Sequence, residues 1–275
     1  MTGRKDGPRS ESALRDLRLA YEFLTRADMS GERTEPTRFG TAVFDDRVPK
    51  RYDSNYLLLE TIPAGTSAEE LAADARAHGR PMILVRDVPA AEPLVPRFQA
   101  LGWRIDRHVL MAQRGAVTRE APLGLVRELD ADALRAARQR LIEGLPWARP
   151  EVLEQLHRTK RLIAERVDTR FLAVVLDGEV VAYADVYVEA PTAQIEDVGT
   201  LEEHRGRGYA SAVVLHAAET ARRAGADFVF LVADAYDWPQ HWYRRIGFEP
   251  IGEYLKLIGP SAPSGRSRRA PGGAG

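Results

Sequence analysis

Residues 197–210, DVGTLEEHRGRGYA, hold the side chains and glycines best suited to chemistry. The stretch reads as the end of a strand, a glycine-punctuated turn and the start of a helix. Gly206 and Gly208 let the backbone curl, so that successive N–H groups point into one concavity. The free N–H groups of the helix's first turn add to them, and the helix dipole favours an anion there. Such a turn suits a phosphate or a pyrophosphate. It is not a P-loop, because no lysine follows Gly208. The dinucleotide fingerprint stays open on the turn alone, since Ala210 stands in the third small position and Asp234 ends the next strand.

Two motifs taken together go further. Arg205, Gly208 and Ala210 form the pattern Arg-x-x-Gly-x-Ala, and Tyr243-Arg244-Arg245-Ile246-Gly247-Phe248 follows it. In this order they resemble the acyl-CoA pyrophosphate turn and the Tyr-x-x-x-Gly-Phe segment of the GCN5-related N-acetyltransferase (GNAT) family. The resemblance spans residues 122–258. It implies an acyl-CoA-dependent N-acyltransferase that uses acetyl-CoA, needs no metal, and transfers the acyl group to a primary amine by direct attack in a ternary complex. The backbone of Val198, Gly199 and Thr200 would take the acyl and pantetheine end of the donor. Arg205, Gly206, Arg207, Gly208, Tyr209 and Ala210 would hold the pyrophosphate. Asp237 stands where the family often has an Asn contacting the cofactor, although it is also placed to cap the helix that Pro239 begins.

Acyl transfer needs a deprotonated amine and a proton for the leaving thiolate. Tyr243 matches the family's general acid; a phenol of pKa near ~10 stays protonated at neutral pH and can protonate a thiolate. In relatives with a carboxylate base on this strand it lies on the face shared here by Gln194, Glu196 and Val198, so the resemblance makes Glu196 the preferred general base, whereas Asp197 points to the opposite face. The position best matching one family glutamate is Gln194, which cannot be a base. Asp197 and Asp234 are runners-up, and His241 is an outsider. Leu145, Pro146 and Trp147 fall where relatives wall the acceptor site. The rival reading is a CoA-binding sensor or interaction module of the same fold without turnover.

The elements that must position these residues follow from periodicity. In the second half, strands at 123–129, 171–176, 179–189, 192–200, 227–233 and 248–257 alternate with helices at 131–143, 151–166, 209–224 and 239–246. Asp177-Gly178 is a two-residue hairpin signal. In the first half a helix is expected at 12–25, a polar loop at 28–37, and strands at 39–44 and 55–61. A helix at 67–78 carries a Ser67/Glu70 capping box. A strand at 81–85, a helix at 93–101 and a strand at 103–111 complete it. Phe98-Gln99-Ala100-Leu101-Gly102-Trp103 echoes residues 243–248. The echo suggests a duplication: an α/β fold of the α+β type, with a central mixed, mostly antiparallel sheet flanked by helices, twice in tandem. Residues 12–113 would be a degenerate copy, with Pro63-Ala64-Gly65-Thr66 in place of the glycine turn and Phe98 in place of Tyr243. The alternative is an unrelated α+β domain. Residues 114–121 read as the linker, 122–258 as the catalytic domain, and 1–11 and 259–275 as disordered ends.

Composition narrows the classes. At 275 residues, 44% hydrophobic and 29% charged, the chain has the make-up of a globular protein with room for two cores. A net charge of −1 gives no global field for nucleic acid or an anionic membrane. With no cysteine there is no disulfide, thiolate metal site or cysteine nucleophile, consistent with a cytoplasmic location. No apolar run approaches the ~18 residues of a membrane span, and the N-terminal stretch lacks the apolar core of a secretory signal. The expected partner is a small-molecule amine rather than a protein, and a homodimer is left open.

Overall fold

A computed structural model describes residues 11–114, 121–143, 145 and 148–260. In chain order the elements are α1 (Glu11–Arg26), β1 (Arg33–Pro36), β2 (Thr41–Phe44), β3 (Tyr56–Leu59), α2 (Ala68–Ala77), β4 (Met82–Val85), α3 (Val88–Ala91), α4 (Val95–Ala100) and β5 (Arg104–Gln113). The second half supplies β6 (Val126–Leu129), α5 (Arg135–Ile142), α6 (Pro150–Ala164), β7 (Asp168–Leu176), β8 (Glu179–Glu189), β9 (Thr192–Thr200), α7 (Tyr209–Arg223), β10 (Phe228–Asp234), α8 (Pro239–Arg245) and β11 (Phe248–Ile258).

Local chemistry explains most boundaries. Ser67 and Glu70 form both bonds of the capping box that starts α2. Asp177 and Gly178 take φ of 50° and 83°, the positive values a tight β7–β8 hairpin requires. Several expectations are corrected. Strand β1 lies inside the stretch read as a loop, because its exposed residues still pair with β2 from Arg33–Phe44 to Pro36–Thr41. The helix expected at 93–101 is preceded by a separate turn, α3, where the Asp87 side chain accepts from Ala90 N. Strand β6 begins only at Val126, after a 3-10 turn over Leu123–Leu125. Asp130 accepts from Ala133 N at 2.8 Å, closing a turn, so that α5 begins only at Arg135 rather than at 131.

The eleven strands of the described residues form one sheet in the order β1-β2-β3-β4-β11-β5-β10-β9-β8-β7-β6. The boundary read at residues 114–121 therefore falls inside a continuous sheet. Each half places its last strand beside the other half: β5 pairs with β10, and β11 pairs with β4. β5 and β11 pair with each other along most of their length. Two of the neighbouring pairs are parallel, β3–β4 and β9–β10. Arg114 N bonds to Gly247 O at 2.9 Å, tying the start of the connecting stretch to the turn before β11. Residues 115–120 lie outside the described residues. At the other end Gly259 N bonds to Pro81 O at 2.8 Å, so the described structure takes in Gly259 and Pro260 of the stretch read as a tail; residues 261–275, like 1–10, lie outside the described residues.

Helices cover both faces. α7 buries Val213, Val214, Ala217, Ala218 and Ala221 against β8 and β9, and Tyr243 and Phe248 join the same cluster. α1 buries Ala20, Phe23 and Leu24 against β5, β10 and β11, with Phe23 edge-on to Phe230. α2 and α4 close a third cluster around Leu71, Phe98 and Trp103. Full burial of each large side chain contributes about 1.5–3 kcal/mol, so the three clusters fix the sheet that carries the site. Among the described residues no helix is long and apolar enough to cross a membrane.

Candidate active site

The parallel pair β9–β10 stops at Ile195–Leu231. Beyond that point β9 keeps its pairing with β8, and β10 keeps its pairing with β5. The sheet therefore splits, and Glu196, Asp197 and Val198 on one side and Val232 and Asp234 on the other line a cavity of about 480 Å³. Helices α5 and α6 supply further walls with Arg138, Leu156 and Lys160. The first half and the last strand supply Asp28, Arg51, His108, Tyr254 and Lys256.

At the split β9 carries a bulge. Tyr183 pairs with Gly199 and Asp185 with Glu196, so that Asp197 and Val198 together oppose Ala184. Asp197 takes φ of 52°, in the left-handed region. This corrects the expectation that Glu196 and Asp197 face opposite ways: an extra residue breaks the two-residue alternation, and both carboxylates line the cavity. Gly199 sits so close to its neighbours that a Cβ there would lie 2.5 Å from the Tyr183 ring and 2.6 Å from Leu141.

The two adjacent carboxyls have opposite electrostatics. Burial pushes Glu196 up to about 8, helped by Asp28 and Asp197 and opposed by Lys160 and Lys256. Its Oε2 accepts from Gln194 Nε2 at 2.9 Å. Burial works to raise Asp197 too, but Lys160 and Arg138 outweigh it and hold the group below the usual carboxylate range. Arg138 Nε lies 2.8 Å and Lys160 Nζ 3.2 Å from Asp197 Oδ2. Asp197 is thus a paired anion, and Glu196 is the carboxyl whose proton can move near neutrality. Asp234 lines the cavity while its Oδ1 accepts from Tyr236 N at 2.7 Å. His241 is exposed at the start of α8 and is not in the cavity lining.

Tyr243 is buried, 4.7 Å from Trp242 and 5.9 Å from Phe248 by ring centroids. Burial, and then the Glu196 carboxylate, raise its hydroxyl above the ordinary phenol value, so it keeps its proton at any neutral pH. No described residue hydrogen-bonds to that hydroxyl. Asp237 Oδ1 accepts from Trp238 N at 2.7 Å, while Trp238 itself is the residue ahead of α8 and has no side-chain cap; Asp237 holds the turn rather than capping the helix.

The glycine turn has the expected backbone. Gly206 and Gly208 take φ of 76° and 82°. The N–H groups of Gly208, Tyr209, Ala210 and Ser211 have no hydrogen-bond partner among the described residues. Arg205 and Arg207 are exposed beside them. Thr200 Oγ1, at the end of β9, is buried without a partner. The split strands, the orphaned hydroxyl and the unpaired donors at the α7 N-terminus fit an extended ligand ending in a pyrophosphate. Of the residues expected to wall the acceptor site, Leu145 is described, its N bonding to Ile142 O; Pro146 and Trp147 lie outside the described residues.

Sequence reasoning missed what the first half and the last strand bring. Arg51 bonds Asp28 at 2.8 Å, and Lys256 pairs with Asp53 at 2.6 Å. His108 stacks on Tyr254 at 4.9 Å, and burial with Lys256 nearby pushes its ring down to about 3, leaving it neutral. It also missed Arg138 and Lys160. A signal for Lys160 was present: with Leu153, Leu156 and Ile163 it falls on one stripe of α6, where a lone cation asks for a buried partner.

Comparison with known proteins agrees with this geometry. Residues 132–248 match the sequence model described as the acetyltransferase (GNAT) family, somewhat less than half of the chain. Over these residues a GNAT acetyltransferase domain is supported. A streptothricin acetyltransferase from Streptomyces lavendulae is 38% identical over 105 residues, 37% of this chain and 56% of that one, so the match spans little more than half of the relative. Among solved structures, a GCN5-related N-acetyltransferase from Kribbella flavida is similar over 92% of this chain and 97% of its own, with a TM-score of 0.60 at 17% identity. A conserved protein of unknown function from Staphylococcus epidermidis is similar over 84% and 94%, with a TM-score of 0.66 at 16% identity. At such identities these two show the fold alone.

Proposed function

We propose that the protein is an acyl-CoA-dependent N-acyltransferase that acetylates a primary amine. The observation that carries this reading is the split between β9 and β10, which places Glu196 at a cavity, with the unpaired donors of the glycine turn further along the same chain segment. The donor, when bound, supplies the acyl group as a thioester. Val198, Gly199 and Thr200 would hold its acyl and pantetheine end, and residues 205–210 its pyrophosphate. Glu196, ionised, accepts the proton of the incoming ammonium. Tyr243 keeps a proton at its hydroxyl for the leaving sulfur. Neither step uses a covalent acyl-enzyme, and the chain has no cysteine to form one.

The first half completes the acceptor side. We infer that it is a second copy of the same fold that does no chemistry. Reading inward from each side, β3-β4-β11 and β9-β10-β5 are both a parallel pair followed by an antiparallel strand. Phe98 stands edge-on to Trp103 at 5.4 Å, as Tyr243 does to Phe248. In the first half the parallel pair stays matched from Tyr56–Met82 to Leu59–Val85, with no split for a donor to enter. The acceptor is read as a small amine; the Streptomyces relative is named a streptothricin acetyltransferase.

The test is isothermal titration with acetyl-CoA, followed by thiol release over a panel of primary amines. Binding with turnover on one amine class supports the enzyme. Binding with no turnover on any amine favours a CoA sensor. Absence of binding overturns both.

A further inference from the structure

Four charged side chains close a ring behind the bulge. Lys160 Nζ of α6 lies 2.8 Å from Asp185 Oδ2 of β8 and 3.2 Å from Asp197 Oδ2 of β9. Arg138 of α5 bonds the same two carboxylates, Asp197 at 2.8 Å and Asp185 more closely. Tyr187 Oη accepts from Lys160 at 3.0 Å and donates to Asp185 at 3.1 Å. Asp185 is fully buried, and the Lys160 side chain is 14% exposed. Burial works against the Lys160 charge, but Asp185 and Asp197 keep it protonated.

A ring of two cations and two anions is a costly thing to bury. Replacing such a cluster with apolar residues is often neutral or stabilising, so stability alone is a weak reason for it. The ring does, however, hold a conformation that the chain resists. A non-glycine residue seldom enters the left-handed region, because its Cβ crowds the following carbonyl oxygen. Asp197 stays there with its carboxylate fastened from two helices. The consequence is that Glu196, the next residue back, faces the cavity with a fixed cation close by.

We propose that Lys160 is a positioning residue of this site: clamped between Asp185 and Asp197, its ammonium holds the β9 bulge and sets the charge that Glu196 meets when it gives up its proton. The proposal rests on the reading of Glu196 as the base. The charges around Glu196 come from several elements. Asp28, after α1, and Asp197 oppose its ionisation; Lys160, Lys256 of β11 and Arg51, before β3, favour it. Tyr187, Tyr243 and Tyr254 lie within its electrostatic reach as neutral phenols held protonated by burial, and of these Tyr254 lines the same cavity. Of these three cations Lys160 is the one bonded to the strand that carries Glu196, a grip that Arg138 of α5 shares through Asp197.

The test is a pH titration of the Glu196 side-chain carboxyl by carbon NMR of the full chain labelled at glutamate, the signal being assigned by its loss in Glu196→Gln. No acceptor is needed. In Lys160→Met a favourable charge is gone, and the midpoint rises by about one pH unit. In Asp197→Asn, which keeps the shape of the side chain, an unfavourable charge is gone and the midpoint falls by a similar amount. A midpoint unmoved in both variants overturns the proposal, as does a midpoint that moves the same way in both. Should Lys160→Met fail to fold, Asp197→Asn decides by itself: a fall supports the proposal and no change overturns it. Full turnover in Glu196→Gln removes the base reading whatever the midpoints do; loss of turnover there with unmoved midpoints sinks this inference alone.

Discussion

Gln194 donates through Nε2 to Oε2 of Glu196 at 2.9 Å, a bond between alternate residues of one strand face at the point where β9 and β10 separate. The bond is available to either protonation state of the acid, so it orients the carboxyl without fixing its charge. Replacing Glu196 with Gln preserves it, since an amide oxygen accepts as well. Glu196→Gln is therefore a clean removal of the base. Thiol release in the presence of an amine should fall by about 10²-fold or more, while acetyl-CoA affinity measured by calorimetry is unchanged.

The same substitution has a signed effect on stability. The Glu196 carboxyl sits at about 8 in the folded chain against an ordinary value near 4.5. Between those values the native state holds a proton that the unfolded state has lost, so the wild type loses stability as pH rises through that window. Glu196→Gln has nothing to titrate there. Its melting temperature relative to wild type should climb from about pH 4.5 to pH 8 and then level off. A difference that shrinks with rising pH in a calorimetric scan would contradict the raised value.

Turnover should show the same group. In the free enzyme only ionised Glu196 takes a proton, so kcat/KM rises with pH through an apparent pKa of about 8. Tyr243 titrates far above neutrality, so it imposes no alkaline fall in the range where the chain is stable. The measurement is kcat/KM against pH with an amine of higher pKa, corrected for the amine's own ionisation. A flat acidic limb through pH 8 would assign the base elsewhere.

How much of this was legible in the sequence depends on the range over which each feature is specified. The Ser67–Glu70 box, the Asp177-Gly178 hairpin and the glycine turn are set within a few residues, and all three appear as read. The Tyr243–Phe248 contact is nearly as local. The exchange of β5 and β11 is not, because a strand's periodicity says which face is buried but not which strand lies beside it. Nor was the bulge legible. A run such as Gln194-Ile195-Glu196-Asp197-Val198 reads as plain alternation unless a left-handed aspartate is supposed in it. That one irregularity turned Asp197 into the cavity, and there Arg138 and Lys160 made it a paired anion instead of a candidate base. Asp28, Arg51 and His108 reach the site only through the continuous sheet, so no pattern in residues 122–258 points to them.

Gly199 tests the geometry of the split strand. A methyl group there would meet the Tyr183 ring at 2.5 Å and Leu141 Cδ1 at 2.6 Å. Tyr183 is itself buried, so its ring has little space to give, while half-buried Leu141 must turn its tip aside. Gly199→Ala should lose about 1–3 kcal/mol in urea unfolding at fixed pH, as an overpacked core does. Acetyl-CoA affinity should fall with it, because the backbone of β9 moves where the donor's acyl end is proposed to lie.

Tyr243→Phe separates chemistry from packing. The ring contacts with Trp242 and Phe248 involve carbon faces and edges, and no described residue bonds the hydroxyl. Removing that oxygen therefore leaves the fold almost untouched, within about 0.5 kcal/mol by denaturant titration. If the hydroxyl delivers the proton to the leaving sulfur, kcat for thiol release falls by about 10²-fold while the calorimetric affinity for acetyl-CoA holds. A kcat that survives together with an unchanged affinity would make Tyr243 a packing residue, its burial explained by the α8–β11 cluster alone. The proton for the sulfur would then have to come from solvent.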